Sequence, residues 1–253
     1  MQPALEVLPI PAFKDNYIWL IKHGHRVVVV DPGDAGPVIE TLNHNSLELG
    51  AILITHHHAD HIGGVAALLS NHSVPVFAPE RGCYDFPHTP VAEGDHIHLD
   101  AIELELMVME VPGHTLDHVA YYGANRLFCG DTLFSAGCGR LFEGTAAQMY
   151  ASLQRLAALP GNTMVYCTHE YTEHNLRFAR MLEPGNNALV TRQQQAAALR
   201  QSGQPTLPTN IALERETNPF LRCDIAAIRT ASGCVKADEV QIFSAIREMR
   251  NHY

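Results

Sequence analysis

Residues 55 to 61 read Thr-His-His-His-Ala-Asp-His and follow directly on the apolar run Ala51, Ile52, Leu53, Ile54. In an extended segment alternate side chains share a side, so His56 and His58 converge on one point while His57 faces away. Asp60 and His61 stand where the chain turns into Ile62, Gly63, Gly64, Val65, and such a turn aims them at a second point nearby. Imidazole plus carboxylate is a donor mixture for zinc, iron or manganese. One short loop thus seeds two metal positions, and its internal place after a buried-strand pattern separates it from an affinity tag.

The same arrangement recurs along the chain. Ile102, Leu104, Leu106 and Val108 alternate with Glu103, Glu105, Met107 and Met109, the pattern of a half-buried strand that leads into Val111-Pro112-Gly113-His114. The run 126–129 leads into Gly130-Asp131, and the run 163–167 into Thr168-His169. A sheet that gathers such strand ends at one edge holds a rigid site, because the strands fix the loops that carry function. Upstream, the runs 5–10, 17–21 and 26–30 read as strands, ahead of the turn Asp31-Pro32-Gly33-Asp34. Asp31 is either a turn residue or a support for a metal ligand. A short helix over 37–43, another over 62–70 and a strand over 74–77 are expected. The capping-box pattern Thr145 to Gln148 opens a helix that ends near Pro160.

Beyond His169 the period becomes helical, over 170–182, 188–201, 224–230 and 237–250, the last with Ile242, Ala245, Ile246 and Met249 on one stripe. The expected organisation is an α/β (α+β) domain over residues 1–170 and a smaller all-helical domain over residues 171–253.

At 253 residues the chain can bury a full core. The net charge of −10 argues against a broad nucleic-acid surface. No run of roughly 18 apolar residues marks a membrane span, and no secretory signal is read at the N-terminus. Cys83, Cys129, Cys138, Cys167, Cys223 and Cys234 form no C-x-x-C pair and read as reduced thiols of a cytoplasmic protein. Cys129 and Cys167 sit in apolar runs as core residues, and Cys138, in a glycine-rich loop, has no evident partner base. With three lysines against fourteen arginines, a pocket for an anionic substrate is arginine-built, which suits bidentate carboxylate binding. His96 and His98 have H-x-H spacing but no evident carboxylate partner; they, His57 and His118 are expected to be structural.

The H-x-H-x-D-H loop, a later histidine after Pro-Gly, an aspartate after Cys-Gly and a final histidine resemble the metallo-β-lactamase superfamily. Its fold is an αββα sandwich with a dinuclear site at one edge. More narrowly, Gly130-Asp131-Thr132-Leu133-Phe134, Gly137-Cys138-Gly139-Arg140, Glu143-Gly144-Thr145, Thr168-His169-Glu170-Tyr171-Thr172 and Asn218-Pro219-Phe220-Leu221-Arg222 resemble the hydroxyacylglutathione hydrolases, the glyoxalase II family. The resemblance covers essentially the whole chain. By position, it implies one metal on His56, His58 and His114, a second on Asp60, His61 and His169, and Asp131 bridging them. It implies two divalent ions, with zinc expected and iron or manganese as alternatives.

It also implies that Arg140, Phe142, Tyr171, Arg247 and Arg250 bind glutathione, with Phe142 where the family has tyrosine. Arg247 and Arg250 also sit in the last turns of a helix, where positive charge is favoured in any protein. The implied reaction is attack of a metal-bridging hydroxide, oriented by Asp60, on an S-(2-hydroxyacyl)glutathione such as S-D-lactoylglutathione. Glutathione and D-lactate result, the second step of methylglyoxal detoxification, and the expected state is a cytoplasmic monomer. The competing readings are a persulfide dioxygenase with one iron, a β-lactam or lactone hydrolase, and a metal-binding protein on a retired scaffold.

Overall fold

The computed structural model describes residues 4–253, which pack into two units. The first comprises the described residues up to Glu110 together with Asp117–Gly130. It opens with β1 (Glu6–Ala12), β2 (Asn16–His23) and β3 (Arg26–Val30), paired antiparallel in that order. Parallel pairing continues through β4 (Glu48–Leu53), β5 (Val76–Pro79) and β6 (Thr89–Val91). Val27, Val28, Val29 and Val30 are all buried, since a sheet covered on both faces selects a continuous run of β-branched residues.

Helix α1 (Ala35–His44) begins earlier than the sequence predicts, because Asp34 caps it by accepting from Gly36 N at 2.9 Å. Pro37 falls in its first turn, where a missing N–H costs nothing. The helix expected over 62–70 is instead two pieces, α2 (Ala59–Ile62) and α3 (Val65–Asn71). A Cβ on Gly64 would lie 2.5 Å from both Ala35 N and Pro32 O, so the glycine at the break admits the 31–35 turn against the ligand loop. Val38, Leu42, Val65 and Leu68 form one core cluster with Leu20, Val27, Val29, Ile52 and Ile54.

A second antiparallel run in this unit is β7 (His96–Leu99), β8 (Leu104–Glu110), β9 (Val119–Gly123) and β10 (Arg126–Gly130). Ile102 lies outside β8, in a 3-10 turn, and Glu103 is left-handed at φ 52°, so the alternation starts at Leu104. The register sets His98 opposite Glu105. Glu105 pairs with His98 at 3.1 Å and His96 at 2.7 Å, so both histidines have a carboxylate partner that sequence spacing does not reveal.

The second unit is Val111–Leu116 with Asp131–Tyr253. It holds the hairpin β11 (Leu133–Phe134) and β12 (Gly137–Cys138), helix α4 (Ala146–Ala157) with the expected Thr145/Gln148 capping box, and β13 (Met164–Cys167). Next come α5 (Thr172–Leu182), α6 (Asn187–Gln201), and β14 (Thr209–Asn210), antiparallel to β13. Helices α7 (Ile211–Thr217), α8 (Ala226–Ala231) and α9 (Glu239–Asn251) complete it. Packing divides the chain earlier than the change of period near residue 170, because the late helices bind the 133–138 hairpin. Asn218 Nδ2 donates to Phe134 O at 3.0 Å and Gly137 O at 2.9 Å, and Glu214 accepts from Ala136 N at 2.8 Å.

Candidate functional site

In the first unit β4 delivers the chain into the histidine loop. His56 Nε2 and His58 Nδ1 stand 3.0 Å apart, and the His56 and His61 rings approach to 4.0 Å between centroids. His61 Nε2 lies 3.6 Å from Asp60 Oδ2. The other ring nitrogens are anchored through Asp31. Thr55 donates its hydroxyl proton to Asp31 Oδ2 at 2.8 Å, so the Thr55 hydroxyl oxygen accepts from His56 Nδ1–H at 3.1 Å. Asp31 Oδ2 lies 3.0 Å from His61 Nδ1, and Asp31 Oδ1 accepts from Thr55 N at 2.8 Å. These bonds fix the tautomers that turn Nε2 of His56 and His61 outward as electron-pair donors. Asp31 thus does more than shape its own turn: its carboxylate holds Thr55 and the His61 ring. Asn16, which the sequence reading missed, donates to Asp60 Oδ2 at 3.0 Å; no local signal connects residues 44 apart.

In the second unit Asp131 Oδ2 lies 3.4 Å from His114 Nε2 and 3.3 Å from His169 Nε2. Donors at tetrahedral angles around an ion at 2.0–2.1 Å stand about 3.3–3.4 Å from one another. Each imidazole therefore stands at ligand-to-ligand spacing from one and the same carboxylate oxygen, which lies between them. His114 Nδ1 donates to Arg140 O at 2.9 Å, which presents its Nε2. Tyr171 stacks on His169, 4.8 Å between centroids and 2° from parallel, while Phe134 meets both rings edge-on. The stack on one face and the edge-on contact together fix the plane of the His169 ring.

A cavity of about 490 Å³ opens in this unit, and Arg140, Phe142, Tyr171, Arg247 and Arg250 all line it with His114 and Asp131. Arg250 Nε and Nη2 donate to Asn175 Oδ1 at 3.3 and 3.1 Å, and Arg247 Nη1 donates to Cys138 O at 2.8 Å. Burial, then the charges of Arg247 and Arg140, lowers the Arg250 pKa. Guanidiniums held together against their own repulsion favour an anionic ligand. Asn175 escaped the sequence reading, although it stands on α5 one turn after Tyr171, the residue at the helix N-cap, whose carbonyl accepts from the Asn175 backbone N–H at 2.9 Å. Phe142 is 62% exposed and meets His114 edge-on at 5.2 Å. Burial pushes the Cys138 thiol up, which leaves it a poor nucleophile.

The family model of the metallo-β-lactamase superfamily matches residues 13–169, and that of the hydroxyacylglutathione hydrolase C-terminus matches 170–253. The hydroxyacylglutathione hydrolase of Methylobacillus flagellatus is 59% identical over 98% of this chain and 99% of its own. That of Cupriavidus taiwanensis is 52% identical over 98% and 99%. Among solved structures, ETHE1 from Myxococcus xanthus superposes with a TM-score of 0.68 at 26% identity, over 97% of this chain and 91% of its own. The metallo-β-lactamase fold with these histidine and aspartate clusters is suited to divalent metal ions. With both family models matched end to end and relatives this similar over nearly its full length, the chain belongs to the hydroxyacylglutathione hydrolase (glyoxalase II) family of the metallo-β-lactamase superfamily.

Proposed function

We propose that this chain hydrolyses S-(2-hydroxyacyl)glutathione thioesters, S-D-lactoylglutathione foremost, to glutathione and a 2-hydroxy acid. The observation that carries the reading is the Asp131 carboxylate between two imidazoles at metal-ligand spacing, beside a cavity walled by arginines. Two zinc ions per chain are assigned, one to His56, His58, His114 and Asp131, the other to Asp60, His61, Asp131 and His169. When bound, such ions supply Lewis-acid polarisation of the thioester carbonyl and an acidified water.

The chain's own groups do the rest. Arg140, Arg247 and Arg250 receive the glutathione carboxylates, and Tyr171 and Phe142 flank the peptide. Asp60, steadied by Asn16, orients the water and takes its proton. The new C–O bond replaces the C–S bond, and the thiolate, whose conjugate acid has a pKa of about 8.5, leaves without an acid catalyst. Residues 1–170 form the catalytic domain in this scheme and 171–253 the helical substrate-binding domain. No helix among the described residues is long and apolar enough to cross a membrane. We assign a cytoplasmic monomer, in keeping with six cysteines that form no disulfide among the described residues.

A substrate panel tests the reading. Purified protein should cleave S-D-lactoylglutathione rapidly while leaving β-lactams and glutathione persulfide unchanged. Slow cleavage of the thioester alongside oxygen uptake on the persulfide would overturn it.

A further inference from the structure

Three consecutive histidines pose a problem of register. His57 carries the same donor chemistry as its neighbours, and in the irregular 54–58 segment, bent at Thr55 and His56, a shift of one residue would present it in place of His56 or His58. The segment 117–119 answers the loop residue by residue. Val119 N donates to Thr55 O at 2.9 Å, the His118 ring stacks on His56 at 4.5 Å and 15°, and Asp117 Oδ1 lies 2.9 Å from His57 Nδ1. The Tyr84 hydroxyl donates to the other oxygen of Asp117 at 2.9 Å. Asp117 is 6% exposed, so its two oxygens are set by His57 and Tyr84 in a poorly hydrated place. Burial first, then the Asp117 charge, holds the Tyr84 pKa well above its ordinary value and keeps the hydroxyl a donor.

We propose that Asp117, fixed by Tyr84, is a positioning residue that sequesters His57 and so sets the register in which His56 and His58 act as ligands. The inference rests on the metal-site reading above. It goes beyond ordinary support of a loop, because it makes His57 a competitor whose removal repairs the loss of Asp117.

Zinc affinity, measured by competition with a chromophoric chelator on the stripped full-length protein, tests this directly. Asp117→Ala should weaken zinc binding about ten- to a hundredfold, the range for partners that orient a metal site. Tyr84→Phe should weaken it less, and Asp117→Asn, whose amide oxygen still accepts from His57, should restore most of it. His57→Ala alone and His57→Ala with Asp117→Ala should both bind zinc nearly as wild type, and the electronic spectrum of the cobalt-substituted double variant should return to the wild-type form. A double variant as weak as Asp117→Ala, or an Asp117→Ala protein that binds as wild type, overturns the inference. Should Asp117→Ala fail to fold, Tyr84→Phe carries the test: its weakened binding must be relieved by adding His57→Ala. Wild-type protein that takes up no metal overturns the metal reading and this inference with it.

Discussion

Asp131 Oδ2 lies 3.3 Å from Nε2 of His169, and the same oxygen lies 3.4 Å from His114 Nε2. One carboxylate oxygen shared by two imidazoles at ligand spacing is what the proposed bridging role of Asp131 requires.

Asp131→Ala should therefore lose activity by about a thousandfold or more, since several kcal/mol of transition-state stabilisation depart with a lost ion. Elemental analysis of the variant should show metal loss in parallel. A variant with full metal content and normal turnover would remove the bridging role.

Asp31 reaches His61 directly and His56 through Thr55. Asp31→Ala should weaken metal binding about ten- to a hundredfold. Chelator competition reads the effect, and unchanged affinity would make Asp31 a turn residue only.

Arg250→Ala should raise KM about tenfold while changing kcat less, because a hydrogen bond to a charged group is worth about 1.5–3 kcal/mol in binding. Steady-state kinetics on S-D-lactoylglutathione decide it. An unchanged KM takes Arg250 out of the substrate site.

Phe142→Tyr adds a hydroxyl at the cavity wall, on a ring that is 62% exposed. If glutathione lies there, KM should fall by roughly two- to tenfold, the equivalent of one neutral hydrogen bond at about 0.5–1.5 kcal/mol. No change, with kcat preserved, would place the peptide elsewhere.

Glu214 is fully buried, and burial raises its pKa above the ordinary 4.5 despite bonds from Thr209, Ala136 and Asn218. The folded state thus binds this proton more tightly than the unfolded one. The stability it contributes is complete below the unfolded value and is lost as pH rises through the raised folded value. Glu214→Gln keeps an acceptor for Ala136 and Asn218, so it should be more stable than wild type at pH 8 and lose that advantage in acid. Denaturant midpoints at both ends of the range check this, and an identical pH profile in both proteins would contradict it.

What the sequence makes legible is what local pattern carries. Each proposed ligand follows a strand whose alternation or apolar run is visible, and imidazole and carboxylate narrow the chemistry by themselves. The arginines of the last helix are legible as charge, whereas their partner Asn175 is polar and unremarked in sequence. Asn16 and Asp117 act on the histidine loop from 44 and 60 residues away, and only folding brings them there. Helix α7 escapes because its large apolar residues, Ile211 and Leu213, stand two apart, which is not a helical spacing. The partner of His96 and His98 is hidden for a related reason: Glu105 meets them only once β7 and β8 adopt their register.

The most direct measurement is metal content and S-D-lactoylglutathione hydrolysis on one sample, before and after chelation and after zinc is returned. About two metal ions per chain, with turnover lost on chelation and restored by zinc, is the predicted result. Undiminished turnover by the metal-free chain, or a single iron with no thioesterase activity, would contradict it.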